Sequence, residues 1–373
     1  MKIIRKIEKK FMKTLNKIVS KYNYRQMSDF IKRKTTDSFK ELKHHRKLTK
    51  EQEKEVDDFY MGLIGKKLPH YGHEYSLSRN GVFSKECLPE DFYVLELRPR
   101  ANVYKFQEAY DDKNVYDLIL AGENIAHTVL KNMNGYYYYE GDLVSEKEAI
   151  ARCHDFGQGV IKPSMKLQGQ GVNVITIKEG KIVEDGRTVQ ELFDDYGRNF
   201  LIQQCVKQHK DMAALNPTSV NTIRVLTYHS GMEVIVVFCV LKIGRKNQVI
   251  DNQCAGGISV AVSEDGKVGK MAYGGYTEDD VMQTDSGIVL EGYQLPSFEK
   301  VKEMAKRLHR KLPYFDIVGW DIAIEENGEP ILIEYNTNTG LYPSCLGTSF
   351  GKYTERIISE LWPRPNTRFK GYS

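Results

Sequence analysis

The chain has 373 residues, 41% hydrophobic and 28% charged, with 54 Lys/Arg against 50 Asp/Glu. This is globular composition, and with no run of 18 apolar residues and no uninterrupted apolar stretch at the N-terminus, neither a spanning helix nor a signal peptide is expected. Cys87, Cys153, Cys205, Cys239, Cys254 and Cys345 include no C-x-x-C pair, so no disulfide framework or zinc site is indicated and a reducing cytoplasm fits best.

The charge is unevenly placed. Residues 1–50 hold 17 Lys/Arg against 4 Asp/Glu, and residues 51–373 hold 37 against 46. Ile3, Ile4, Ile7, Phe11, Leu15, Ile18 and Val19 recur at helical spacing between lysines, the pattern of a basic amphipathic helix. Such a helix can pack on its own domain, lie through residues 1–21 on the anionic inner face of a membrane, or form a nucleic-acid arm. Aromatic interleaving and a nucleic-acid fold motif are both missing, so no nucleic-acid partner is expected.

Residues 51 to about 105 form a small mixed segment with turn signals at Leu68-Pro69-His70, Arg79-Asn80-Gly81 and Leu88-Pro89-Glu90. Val115 to Leu130 can form a helix. Tyr136 to Tyr139 read as a strand with two tyrosines per face, an ordinary sign of core packing. Ser145 with Glu148 makes a capping box for a helix that ends at Cys153. The strand "GVIKP" ends in Lys162-Pro163, a loop carries Gly169 and Gly171, and an apolar strand begins at Val172. Glycines let backbone N–H groups approach an anion, and a lysine at a strand end supplies a point charge, so the loop suits a phosphate flap. An ordinary glycine hairpin has the same spelling, and neither a Walker A nor a Rossmann pattern is present.

Strand "FLIQQCV" follows at 200–206, then "VNTIRVLTYH", "MEVIVVFCVLKI" and "GGISVAVSEDGKVGKMAYGG" as successive antiparallel strands with Asp265-Gly266 at a hairpin tip. Phe298, Val301, Met304, Ala305, Leu308 and Leu312 give the apolar stripe of one helix. The stretch "VGWDIAIEENGEPILIEYN" then reads as a hairpin whose two-residue tip, Asn327-Gly328, suits a type I′ turn. That register pairs Ile322 with Ile333, Ile324 with Ile331 and Asp321 with Glu334, and brings Asp321, Glu334 and Asn336 to one face. Opposed carboxylates need a compensating cation, and three hard oxygen ligands suit Mg²⁺ held together with substrate phosphates. The last ten residues read as a loose tail.

The order of these features resembles the ATP-grasp superfamily: a Lys-Pro strand with a glycine flap, "LIQQCV", the arginine-bearing "NTIRVLTY", Asn252-x-x-x-Gly256-Gly257, then Asp321 and Glu334-x-Asn336. Through "DDKNVYDLI", "NPTSVNTIRVLTY", "DNQCAGGISVAV", "TDSGIVL" and "VGWDIAIEENGEPILIEYN" it is most similar to the sugar-transfer-associated branch, over roughly residues 110 to 345. The resemblance implies an α+β fold in which two subdomains clasp ATP, with ATP and Mg²⁺ as cofactors and carboxylate-amine ligation through an acylphosphate as the typical reaction. The expected domains are a basic amphipathic helical segment at 1–50, a small N-terminal domain at 51–112, the small ATP-grasp subdomain with the flap at 113–206, and the large subdomain with the metal site at 207–373.

By position, the resemblance makes Lys162 the lysine on the α/β-phosphates and Lys113 the earlier second lysine. Gln203, Gln204 and Val206 lie in the linker whose backbone faces adenine, and Asp211 is placed to hold the ribose. The chain departs from the pattern at Gln204, where an acidic residue is usual, leaving His209 as a rival to Asp211. It departs again at Gly319, where many ligases place an arginine. Substrate carboxylate binding then falls to Arg224, whose neighbours Ile223 and Val225 point to the opposite face, with Arg245 and Lys242 behind it. Asn252, Gly256 and Gly257 are the expected substrate loop, and Cys254 is expected to be an ordinary buried thiol. The expected substrates are a carboxylate, small or saccharide, and an amine, with an amino acid or amino sugar joined to a uronic acid or peptide in cell-surface polysaccharide synthesis. A kinase on the same scaffold and a nucleotide-gated scaffold for a membrane glycosyltransferase are the rival expectations.

Overall fold

The computed structural model describes residues 2–40, 42, 44–166, 169–246, 248, 251, 256–274 and 281–368, with the backbone alone for 2–18. The chain divides into two units, Met1–Lys105 with Leu341–Ser373, and Phe106–Gly340. The C-terminal segment, expected within the large subdomain, therefore groups with the N-terminal residues.

The first unit is helical where a mixed segment was expected. Helix α1 spans Lys2–Lys40, α2 Lys50–Ile64 and α3 Tyr71–Asn80, and further helical turns occupy residues 90–101. Thr49 caps α2 in a capping box with Gln52, and Gly65 ends it at φ +70°. Ser28 and Thr35 of α1 donate to Asp91 and Glu90. The expected apolar stripe of α1 falls on side chains outside the described ones except Val19, which is exposed. The tail is tied down as far as residue 368: Asn366 donates to the Leu95 carbonyl and the Thr367 hydroxyl to that of Pro99.

The second unit carries two antiparallel sheets. The first is ordered β3-β2-β1-β7-β4-β5-β6, from β1 (Thr128–Met133), β2 (Tyr136–Tyr139), β3 (Asp142–Val144), β4 (Gly157–Pro163), β5 (Asn173–Lys178), β6 (Lys181–Ile182) and β7 (Phe200–Gln204). Helices α4 (Glu146–Arg152) and α5 (Val189–Tyr196) each open with the capping box their Ser/Thr-x-x-Glu spelling predicts. Of the four tyrosines, Tyr137 and Tyr139 belong to the core face and Tyr136 is exposed. Between Val115 and Leu130 the helix is only Tyr116–Ile119, because Thr128 already enters β1.

The second sheet is ordered β11-β10-β9-β8-β12-β13, from β8 (Thr222–Ser230), β9 (Glu233–Ile243), β10 (Ile258–Val262), β11 (Val268–Tyr273), β12 (Ile317–Ile324) and β13 (Pro330–Asn336). Helix α6 (Lys210–Leu215) follows the linker after β7, and α7 (Phe298–His309) buries Val301, Met304, Ala305 and Leu308 in the core with Trp320, Ile322 and Ile324. At the β12–β13 tip only Gly328 takes a positive φ, +83°, so the turn is not type I′. Glu325 N–H donates to the Glu329 carbonyl, enclosing three residues rather than two, and Ile322 pairs with Leu332 and Ile324 with Pro330. A bulge at Ile333 restores the pairing of Asp321 with Glu334.

His309 is fully enclosed beneath this sheet. Its Nε2 lies 2.8 Å from the Phe315 carbonyl, which can only accept, so Nε2 carries the proton and Nδ1 accepts from the Thr227 hydroxyl at 2.7 Å. Trp320 Nε1 donates to the same hydroxyl oxygen. Burial pushes the His309 pKa down to about 4. Unfolded histidine, with a pKa near 6.5, binds the proton more readily, so the stabilisation is whole above that value and is lost as pH falls towards about 4. Wild-type protein should lose about 2 kcal/mol from this group between pH 7 and 5, read by urea titration, and the non-titrating His309→Gln should show a correspondingly shallower pH slope.

Candidate functional site

The two sheets of the second unit bring charged groups together at Glu334. Tyr116 stacks on Tyr335 at 4.4 Å and donates to its carbonyl, and Asp111 accepts from the Thr337 N–H and hydroxyl, each at 3.0 Å. These contacts fix the single turn that holds Lys113 against β13. The Lys113 ammonium lies 3.8 Å from Glu334 and donates to the Lys166 carbonyl at 3.0 Å, so it also grips the stem of the glycine flap. Lys162, on the face of β4 opposite core residue Ile161, is 6% exposed. Burial lowers its pKa to about 8; Glu334 works to raise it and Lys113 to lower it further. Asp111 is pushed up to about 6 by burial, against the Thr337 hydrogen bonds.

The second charged group is deeper. Arg224 Nε and Nη2 grip the two oxygens of Asp321 at 2.6 and 2.7 Å, and Lys242 Nζ lies 3.4 Å from Asp321 and 3.3 Å from Asp251. Asp251 in turn accepts from Thr222. Burial works to raise the Asp321 pKa, but the charges and hydrogen bonds of Arg224 and Lys242 outweigh it and hold the carboxyl well below the usual range. Gly319 makes room for this arrangement. A Cβ there would lie 2.4 Å from Thr339 Oγ1 and 3.3 Å from Arg224 Cδ, so the Arg224 stem from the neighbouring strand takes the space that a side chain at 319 would need.

The donor set only partly fits a hard divalent cation. Glu334 is 27% exposed on its side chain and Asn336 has a buried amide nitrogen with no hydrogen-bond partner, so both can supply oxygen, the amide by a flip. Asp321 shares their face, but its oxygens already serve Arg224 and Lys242. Among the described residues no three His, Cys, Asp or Glu side chains form a ready metal cluster.

The remaining expected residues are dispersed. Gly169 and Gly171 take φ of +73° and +72° in the turn after β4, and a Cβ on Gly171 would meet the Pro163 ring at 2.9 Å. Gln203 spends its side chain on the Ala126 carbonyl and the Thr128 hydroxyl, and the Gln204 N–H donates to the His127 carbonyl. Val206 lies in the linker, which the β12–β13 tip clamps through Glu326 N–H to the Lys207 carbonyl; a cavity of about 530 Å³ opens there between His127, Gln204, Val206 and Glu326. His209 caps α6, and Asp211 lies 3.7 Å from it. Arg245 pairs with Asp285 at 3.1 Å. Gly256 has φ +94° and Gly257 is buried, while Asn252 and Cys254 lie outside the described residues. Sequence reasoning missed Asp111, Asp251 and Thr339; the first stands in the "DDK" already quoted, yet nothing local marks it as a partner of Thr337.

Replacing Asp321 by Asn takes away the buried carboxylate charge that both Arg224 and Lys242 meet. Asp321→Asn should therefore lower the unfolding free energy by about 3–5 kcal/mol in a denaturant titration.

Residues 94–353 match the family described as sugar-transfer associated ATP-grasp. No curated protein is matched by the chain. Among solved structures the chain is similar to the ATP-grasp ligase PsnB complexed with a minimal precursor, at 13% identity over 71% of this chain and 64% of that one, TM-score 0.39. It is similar to D-alanine–D-alanine ligase from Bacillus anthracis at 14% identity, 69% and 68% coverage and TM-score 0.39, and to L-amino acid ligase from Bacillus licheniformis at 11%, 72% and 50%, and 0.37. The chain thus spans less than two thirds of the length of PsnB. With most of its length matched, and with two antiparallel sheets converging on one charged site, the chain belongs to the sugar-transfer associated ATP-grasp family and has the α+β ATP-grasp fold.

Proposed function

We propose that the chain is an ADP-forming ligase that joins a carboxylate to an amine, linking an amino acid or amino sugar to a uronic acid or peptide in cell-surface polysaccharide synthesis. The observation that carries this reading is the convergence on Glu334 of two buried ammonium groups, Lys113 and Lys162. Burying like charges together is costly, and a polyphosphate would relieve that cost better than a single carboxylate does. Lys162 and Lys113 bind the phosphates, the backbone of residues 203–206 faces adenine, and Asp211 or His209 takes the ribose. Glu334 and Asn336, with Asp321 behind them, would hold magnesium, which would supply positive charge against that of the phosphates.

A substrate carboxylate oxygen attacks the γ-phosphorus while the bond to the β–γ bridging oxygen breaks and ADP departs. The amine nitrogen then attacks the acyl carbon, its proton passing to the departing phosphate. Arg224, held in place by Asp321, and the amides at Gly256-Gly257 stabilise the oxyanion, with Arg245 as an outer cation. The flap that carries Gly169 and Gly171 excludes water that would hydrolyse the acylphosphate.

A screen of carboxylates and amines for ADP release, with hydroxylamine trapping, tests this. An acyl hydroxamate is expected, and Glu334→Gln should lose turnover without losing its fold. A stable phosphorylated product would mark a kinase instead, and no nucleotide-dependent chemistry at all would leave only the scaffold reading.

The basic N-terminal segment is proposed to make a peripheral contact with the anionic cytoplasmic leaflet. Residues 1–21 hold eight Lys/Arg, and each near the surface contributes about 1 kcal/mol. No helix among the described residues is long and apolar enough to cross a membrane. Full-length protein should co-sediment with anionic but not neutral vesicles at low salt and lose this on deletion of residues 2–21, with turnover of soluble substrates retained; protein left in the supernatant sinks the idea.

A further inference from the structure

The segment that follows Lys162 carries an unexplained polar atom. Ser164 is fully buried, and its hydroxyl has no hydrogen-bond partner. An orphaned buried hydroxyl costs about 1–3 kcal/mol, which asks for an explanation at this position.

Backbone geometry says where that use lies. Lys162 pairs with Leu201 and Pro163 with Phe200, and the ladder runs one step past the strand, because Ser164 N–H donates to the Asn199 carbonyl at 2.7 Å. With the period of two along a strand, Ser164 and Lys162 share a face while Ile161 and Pro163 share the other. Ile161 belongs to the core beneath α4 and α5, so Ser164 lies on the side of the strand that carries Lys162, whose ammonium feels the charges of Glu334 and Lys113. The Ser164 carbonyl also accepts from the Lys113 N–H at 3.1 Å and from the Lys113 ammonium at 3.5 Å. The orphaned hydroxyl therefore stands between the residues that bring the two ammonium groups to the site.

We propose that Ser164 is a phosphate-binding residue, its hydroxyl donating to an oxygen of the nucleotide's phosphate chain beside Lys162. This rests on the ATP reading above and extends it to a residue that neither the family match nor the lysine spacing singles out. Its backbone and side chain then have separate tasks: the carbonyl anchors Lys113, and the hydroxyl waits for an anion. An anion is the partner that suits its proton: the neighbouring ammonium groups could only donate to the hydroxyl oxygen, whereas a phosphate oxygen accepts from the O–H.

The sign of the stability change separates this from a structural role. Removing a hydroxyl that bonds nothing in the protein leaves the nucleotide-free melting temperature unchanged or slightly higher, whereas removing a structural one lowers it. Full-length Ser164→Ala should therefore melt like wild type or above it without nucleotide, and bind ADP with Mg²⁺ about tenfold more weakly by calorimetric titration. Wild-type ADP affinity in that variant overturns the inference. Should Ser164→Ala fail to fold, Ser164→Cys, similar in volume and a poor donor, takes its place with the same two outcomes. A wild-type protein that binds no ADP overturns the ATP reading itself and this inference with it, which distinguishes the two failures.

Discussion

The interaction on which the second unit depends is the grip of Arg224 on Asp321. A carboxylate with 1% exposure in the middle of a six-stranded sheet is tolerable only because a bidentate guanidinium from β8 and an ammonium from β9 meet it across the ladder. The alternation continues through Lys242 to Asp251 and Thr222, so charges of opposite sign tie β12, β8, β9 and the segment at residue 251 together. The Trp320 face of the same sheet is packed on α7 with ordinary hydrophobic residues. One sheet thus carries a hydrophobic core on one side and a charge network on the other, and the network ties down β12, the strand on which β13 pairs to present Glu334 and Asn336.

How the sequence announces this site is instructive at the hairpin. The pairing of Asp321 with Glu334 is legible, but by a route with two errors that cancel. The tip encloses three residues, not two, and Ile333 bulges by one, so the offset introduced at the turn is removed before the carboxylates are reached. Neither event has a residue-type signature. An Asn-Gly pair serves a type I′ turn and equally a type I turn that ends in a left-handed glycine, and the Asp265-Gly266 tip makes the second choice too, with Ser263 and Lys267 closing it and Gly266 at +84°. The apolar run 331–333 gives no cue to which isoleucine is skipped. By contrast the capping boxes at Thr49, Ser145 and Thr188 follow from local spelling, because their bonds join residues three apart.

The first unit was the least legible part for a related reason. Many of the partners of its elements are distant in sequence: Asn80 reaches the Pro343 carbonyl, Leu88 N–H the Ser349 hydroxyl, and Asn366 the Leu95 carbonyl. Trp362 lies under Lys66 and Arg100, each 4.6 Å from its ring, which joins three separate stretches of chain. Turn signals such as Leu88-Pro89 mark where elements stop but not what they pack against. The Pro- and Asn-rich tail has the composition of a loose end, and its order up to residue 368 comes from hydrogen bonds that composition does not encode.

Gly319 shows how closely two strands can share one space. A side chain at 319 would collide with Thr339 and crowd the stem of Arg224, which reaches in from β8, one strand over. Arg224 is oriented by its bidentate bond to Asp321. Asp321 therefore does two things at once: it shares the face of Glu334 and Asn336, and it aims the cation that the proposed ligase step uses. Holding both carboxylate oxygens makes Arg224 rigid at the cost of leaving Asp321 little to offer a metal, so the proposed magnesium would rest mainly on Glu334 and Asn336 of β13, the first of them 3.8 Å from the Lys113 ammonium.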